Sequence, residues 1–438
     1  MRSQRIYQLI VLTTLALVFS PACQTTEQGN NAQTPGANAA PSAAASPAGE
    51  AGNVTAQLST LESQEKEEEG TTVAVKGAKL AGPPEKLRGR FSEFSLPQGS
   101  FPQLMAMGRD GTIYFAQGNA NKISRVASPS SADSGRLSVQ DYAIPTPNSF
   151  PIGIAVGPDG SAWFTEKNGH KIGRLDPNAN SITEYATPTA NSGPVGIAFG
   201  PDGAVWFTEA DANKVGRVDP KDPKKIQEFS VPTADSSPIY ITPGPDQAMW
   251  FVEVKGHKLG RVDPNGGAVQ EFATTTPKSG PTCVITGPDN ALWVSELNAD
   301  KIARFDVSAK KFTDEIAIDS RKNGPHSGPA ILVNGADGNI WFTEMYGNQI
   351  ARLDPRNKQV HEFTAPSAVK LAQAAAPPGP NASAAAGGKP AWRDENRSDA
   401  AGTSDTGGPG SIVAASDGTV WYTAMFTHKI ARLRVSKA

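Results

Sequence analysis

The chain has 438 residues, with 41 Lys and Arg against 43 Asp and Glu, for a net charge of −2. That balance excludes the basic footprint of a nucleic-acid binder. Only two cysteines are present, Cys23 and Cys283, which excludes a disulfide-stapled framework in the mature chain.

At the N-terminus, Arg2 and Arg5 precede an apolar run from Leu9 to Phe19, and "SPAC" follows at Ser20–Cys23. This pattern predicts a signal peptide over residues 1–22, too short to span a bilayer as a helix. Cleavage before Cys23 leaves a cysteine that can be lipidated, with ordinary export cleavage after Ala22 as the alternative. The protein is therefore expected at the periplasm or cell surface, touching a membrane through a lipid anchor only. Residues 23–89 are rich in Ala, Pro, Ser, Thr and Glu, including "EKEEEG" at Glu65–Gly70, and read as a low-complexity tether.

From residue 90 onward one unit repeats. "GPDGSAWFTEKNGHKIGRLDP" from Gly157, "GPDGAVWFTEADANKVGRVDP" from Gly200 and "GPDQAMWFVEVKGHKLGRVDP" from Gly244 are near copies. Aligned on the aromatic after the turn, Tyr114, Trp163, Trp206, Trp250, Trp293, Trp341 and Trp421 are spaced by 49, 43, 44, 43, 48 and 80 residues. A period near 43 suits four short strands, the size of a propeller blade. In the second unit "PIGIAVG" is a strand, "PDG" a hairpin turn, "SAWFTE" the second strand, "KIGRLDP" the third and "ITEYATP" the fourth.

The fold class is thus all-β, a seven-bladed β-propeller of four-stranded blades spanning 90–438. "FSEFSLP" at Phe91–Pro97 is a fourth strand with no unit before it, and "KIARLRV" at Lys429–Val435 a third strand with none after it. The N-terminal strand is expected to complete the last blade and close the ring. A low-complexity insert at 365–408, carrying "AWRDENR" at Ala391–Arg397, separates the last two units.

Loops at the channel mouth are the default place for a site on such a scaffold. Two positions per unit face it. The residue ending the second strand is Gln117, Glu166, Glu209, Glu253, Glu296, Glu344 or Ala424. Such a ring can bind a divalent cation through oxygen, with Glu344 and Glu296 the candidate ligands. The alternative pairs each glutamate with the arginine of its own unit: Arg174, Arg217, Arg261, Arg304 and Arg352. The residue after the first-strand proline is Gln103, Ile152, Val195, Ile239, Thr282, Ala330 or Gly410, none of them an acid, base or metal ligand. His170, His257 and His428 share a place with Asn121, Asn213, Asp300 and Asn348, which predicts a turn residue of left-handed φ. His361, in a fourth strand, is expected at the surface, and Cys283 in core packing. His326 lies outside the repeat pattern, near the mouth. Together with His428 it is a candidate catalytic residue.

The units quoted above resemble the virginiamycin B lyase (streptogramin B lyase) family across all seven repeats, including the "EF…P" fourth strands. The resemblance implies a seven-bladed propeller that linearises cyclic streptogramin B antibiotics by elimination across the ester, aided by Mg²⁺. It implies a neutral histidine that removes the proton beside the ester carbonyl, and a carboxylate-held metal that stabilises the enolate. In the family these groups occupy the last two repeats. Here the matching positions hold Ala330, Gly408, Gly410 and Ala424 (or Met425).

The sequence therefore supports a lyase-like propeller that binds a small molecule, peptide or protein at its mouth and acts as a monomer. Two alternatives are an active carbon–oxygen lyase with relocated residues (His326, Glu344, His428) and a metal-dependent, lactonase-like hydrolase using the glutamate ring.

Overall fold

The computed structural model describes residues 52–73, 86–127, 129–318, 326–366 and 408–438. The signal peptide, Cys23 and nearly all of the insert, including "AWRDENR", lie outside the described residues. Among those described, no helix is long and apolar enough to cross a membrane.

Strands follow the repeat. Blade 2 is Pro151–Val156, Ala162–Glu166, Lys171–Asp176 and Ser181–Ala186, each hydrogen-bonded antiparallel to the next. Blades 3 to 6 repeat that order. The first strands of successive blades pack side by side around the channel, and Pro409–Ala414 meets Pro102–Met107 to complete the circle. Ring closure is as expected: Leu87–Ser95 pairs with Lys429–Lys437 and supplies the last blade's outer strand. The fourth-strand aromatic of the "EF" motif stacks on the second-strand tryptophan, as in Trp163–Tyr185 at 5.8 Å and Trp206–Phe229 at 5.5 Å. Phe94 of the N-terminal strand stacks on Trp421 at 6.1 Å, so the closing blade is built like the others.

Adjacent blades approach closely near the channel. A Cβ on Gly196 would stand 2.2 Å from the Ile239 carbonyl oxygen of the next blade, and one on Gly153 equally close to that of Val195. At the same level, Thr165 Oγ1 accepts from the Gly153 N–H at 2.8 Å and donates to the Val195 carbonyl at 2.9 Å, tying two blades together. Gly196→Ala has only backbone to push against, so it is expected to cost about 3 kcal/mol, the upper range for overpacking. A denaturant midpoint equal to that of the parent would contradict this contact.

The expected tether requires correction. Residues 52–73 run as strands along the outer rim: Gly52–Asn53 on blade 2, Ala56–Glu62 on blade 1, Ser63–Glu69 on blade 7 and Thr71–Val73 on blade 6. The strand Ala56–Glu69 joins blades 7 and 1 into one nine-stranded sheet. An acidic, mostly exposed segment can order here because the blades' outer edges offer unpaired N–H and C=O groups. Ion pairs such as Arg136–Glu62 support it, and Val54, Ala56 and Leu61 pack partly on the blades. The belt also corrects His361. That residue pairs in register with Thr72 and is 2 % exposed rather than at the surface.

Candidate functional site

The residue ending each second strand stands opposite the proline that begins the first. The pairs are Gln117–Pro102, Glu166–Pro151, Glu209–Pro194, Glu253–Pro238, Glu296–Pro281, Glu344–Pro329 and Ala424–Pro409. All seven therefore lie at one end of the ring, which is the mouth.

The glutamates are not paired with the arginines. Strand register sets Arg174 opposite Trp163 and Glu166 opposite Lys171, so arginine and glutamate lie three residues apart along the sheet. At about 3.3 Å per residue, that separation is roughly 10 Å. The arginines instead reach the turn aspartates at the other end. Arg217 binds Asp202 at 2.8 Å, and Arg261, Arg304 and Arg352 bind Asp246, Asp289 and Asp337, each at 2.7 Å. The same aspartates accept from the tryptophan indoles, as Asp246 does from Trp250 at 2.9 Å.

All five glutamates are fully buried. Neither carboxyl oxygen of Glu166, Glu209, Glu253 or Glu296 has a hydrogen-bond partner among the described residues. The lysine opposite each is held by a second carboxylate from the fourth strand: Lys171 by Glu184 at 2.9 Å, Lys214 by Glu228 and Lys258 by Glu271, both at 2.6 Å. Desolvation first, and then that neighbouring carboxylate, raises the buried acids. Glu166 is pushed up to about 9, Glu209 to about 8, and Glu253 and Glu296 to about 7. At neutral pH Glu166 and Glu209 are mainly protonated and Glu253 and Glu296 about half so.

The described residues hold no cluster of three or more His, Cys, Asp or Glu able to take a metal. Glu344 and Glu296, the proposed ligands, sit buried in the second strands of neighbouring blades. Ala330 and Ala424 are buried side chains without donor atoms. A Cβ on Gly408 would stand 1.7 Å from the Met345 carbonyl oxygen. The donor set at these positions does not fit Mg²⁺.

His170, His257 and His428 have φ of 52, 53 and 53°, in the left-handed region that their exchange with Asn and Asp suggests. Each Nδ1 accepts an N–H from the following mouth loop: Gly193, Gly280 and Phe101 respectively, all at 3.3 Å. Burial lowers all three below the ordinary histidine range. His428 is therefore a neutral imidazole whose Nδ1 is occupied as an acceptor and whose proton sits on Nε2. His326 differs. Its Nδ1 lies 2.8 Å from Asp300 Oδ2, and Asp300 Oδ1 accepts the Ser327 and Gly328 N–H groups at 3.0 Å. Cys283 is a free, fully buried thiol pushed up to about 12, as a packing residue requires.

Sequence reasoning missed the mouth's apolar character. Phe101, Phe150, Ile152, Val195, Ile239 and Met425 belong to one cluster, with Val254, Met345 and Phe426 packed partly exposed against it. Its signal was the residue after the second-strand glutamate in blades 3, 4 and 6, which is Ala210, Val254 and Met345.

Seven four-stranded units closed around a channel, with one elaborated mouth, define a β-propeller. The chain matches the virginiamycin B lyase family over residues 85–181 and 134–370, and it belongs to that family. It is similar to selenomethionine-substituted virginiamycin B lyase from Staphylococcus aureus, at 30% identity and a TM-score of 0.63, covering 79% of this chain and 99% of that one. A catalytically inactive variant of the Staphylococcus aureus lyase with quinupristin matches at 29% identity and the same TM-score, covering 79% and 99%. A streptogramin B lyase structure matches at 28% identity and 0.63, covering 80% and 98%. Among curated protein sequences none matches significantly.

Proposed function

We propose that this chain is an exported, lipid-anchored binding propeller of the virginiamycin B lyase family that holds its ligand at the channel mouth without turning it over. The observation that carries this is the side-chain content of four positions. Ala330, Gly408, Gly410 and Ala424 stand where the resemblance implies a base and metal ligands, and none can act as either. Restoring a carboxylate at Gly408 would drive its Cβ into the Met345 backbone. The apolar mouth, by contrast, suits a ligand of the kind named in the quinupristin complex. Anchoring through Cys23, periplasmic or surface location and a monomeric state complete this reading.

Supplied with Mg²⁺ and a streptogramin B depsipeptide, the purified protein is expected to bind the compound and leave it cyclic. Loss of a positioned general base alone costs about a hundred- to ten-thousand-fold in rate. Chromatography detects the linear product, and linearisation at the rate of a true lyase would overturn the reading.

One observation favours a second reading, a carbon–oxygen lyase with relocated groups: the His326–Asp300 contact at 2.8 Å is the arrangement that orients a general base. If product appears, His326→Ala should abolish it and Asp300→Asn should reduce it. A lactonase-like hydrolase built on the glutamate ring has less support, because all five carboxyls are fully buried and the described residues hold no cluster of three or more His, Cys, Asp or Glu that could hold a metal.

A further inference from the structure

Comparing the seven units with one another exposes where the repeat is broken. Before the first-strand proline, blades 3 to 6 carry Gly193, Ser237, Gly280 and Gly328, all at positive φ (59, 57, 59 and 61°). Blades 1 and 2 carry Phe101 and Phe150 there, at φ 51 and 52°. A bulky side chain in the left-handed region costs about 1–2 kcal/mol relative to glycine. The same corner breaks the next position too. Where other blades place Ile152, Val195 or Ile239, blade 1 places Gln103, which is 5 % exposed with Nε2 lacking any hydrogen-bond partner. An amide left in that state is a standing penalty of about 1–3 kcal/mol.

These departures converge in space. The Phe101 ring lies 6.3 Å from Phe150 and 5.9 Å from Phe426. A Cβ on Gly118 would stand 3.0 Å from the Phe150 ring and 3.4 Å from Gln103 Cγ, so ring and amide share the space that glycine leaves open. Two strained aromatics and one unsatisfied donor at a single corner of an otherwise regular ring are the local rule-breaking that marks a functional position.

We propose that Phe101, Phe150 and Gln103 form a subsite, on the blade 1–2 side of the mouth, for an aromatic or branched apolar group carrying a neutral carbonyl of the amide or ester class. The rings take the apolar body, and the Gln103 amide donates to the carbonyl oxygen. A carboxylate is disfavoured, since it would lose its hydration among apolar neighbours for one neutral donor. The subsite rests on the reading of the mouth as a binding face. It adjoins blade 7 on one side, where Phe101 meets Phe426, and reaches round to blade 2 on the other.

The test uses the full chain with selectively ¹⁵N-labelled glutamine and N-acetyl-L-phenylalanine N-methylamide as probe. The Gln103 side-chain amide resonance is expected to shift on titration and saturate. Gln103→Leu, which copies the apolar residue of other blades, should fold and weaken the probe about tenfold. The double variant Phe101→Gly, Phe150→Gly should weaken it at least as much. Losing two buried rings outweighs the relief of positive φ and lowers Tm, so its affinity is measured at a temperature where it is still folded. Equal affinity for parent and Gln103→Leu, or no shift at tens of millimolar probe, would overturn the subsite. The depsipeptide separates the two readings. If it binds parent and variants equally, the subsite falls and the mouth stands. If only the probe binds, and at Gln103, the subsite stands and the depsipeptide reading falls.

Discussion

Truncation through Pro97 is expected to abolish cooperative unfolding of the propeller, whereas truncation through residue 85 should leave a folded ring with a Tm only several degrees lower. The first deletion removes Leu87–Ser95, the outer strand of the closing blade, with Phe91 and Phe94 both fully buried. Phe91 packs edge-on to Tyr422 at 6.2 Å and Phe94 stacks on Trp421. Losing one such phenylalanine to alanine costs about 3–5 kcal/mol, and losing both with the strand exceeds the stability of an ordinary domain. The second deletion removes only the belt. Its main-chain pairs are largely offset by the entropy of ordering an exposed segment, and its apolar contribution is limited to half-buried groups such as Leu61. A cost of about 2 kcal/mol follows, and calorimetry on both truncations measures it. Identical melting behaviour would refute the division of labour between closing strand and belt.

The second large effect is a loss of stability in mild alkali. Glu166, Glu209, Glu253 and Glu296 hold protons up to about 9, 8, 7 and 7 when folded, against 4.5 for the free side chain. With folded values raised, their stabilising contribution is complete below pH 4.5, declines as pH rises above it, and is gone once pH has passed the folded values of about 7 to 9. Each carboxyl that is neutral when folded and ionised when unfolded removes about 1.4 kcal/mol per pH unit. Working in the opposite direction, Glu184, Glu228 and Glu271 are lowered despite burial by their lysine and threonine partners, so they cost stability only in acid. Tm is therefore expected to peak near pH 4.5 and fall towards pH 9, most steeply between about pH 5 and 7 where all four carboxyls contribute. Glu166→Gln and Glu209→Gln keep the neutral shape without the titration, so each should flatten the alkaline limb and exceed the parent in Tm at pH 9. A parent Tm constant between pH 6 and 9 would show that these carboxyls ionise freely.

The strands, their count and the closure of the ring were legible in the sequence. Turn residues such as "PDG", the two-residue alternation and the 43-residue spacing are local signals that seven copies repeat, so chance errors in one unit are corrected by the others. Closure was legible because an orphan fourth strand at one end matches an orphan third strand at the other. The left-handed turn at His170, His257 and His428 was also foreshadowed, since exchange with Asn and Asp reports backbone conformation directly.

Partner choice was not legible. Whether Glu166 meets Arg174 depends on register, and one repeat contains both residues at a spacing that looks compatible until the hairpin fixes Trp163 opposite Arg174. The burial of the glutamates depends on closing a mouth loop over each of them, a property of the assembled ring. The belt over residues 52–73 was the largest surprise, and His361 became buried with it. Its pairing runs through backbone N–H and C=O groups, which every residue carries, so a glutamate-rich stretch shows no side-chain pattern that announces it. Sequence by itself determined what repeats, because periodicity is written in the side chains. Tertiary structure decided what the outer edges and the mouth hold, because those contacts join distant segments through main chain, register and burial.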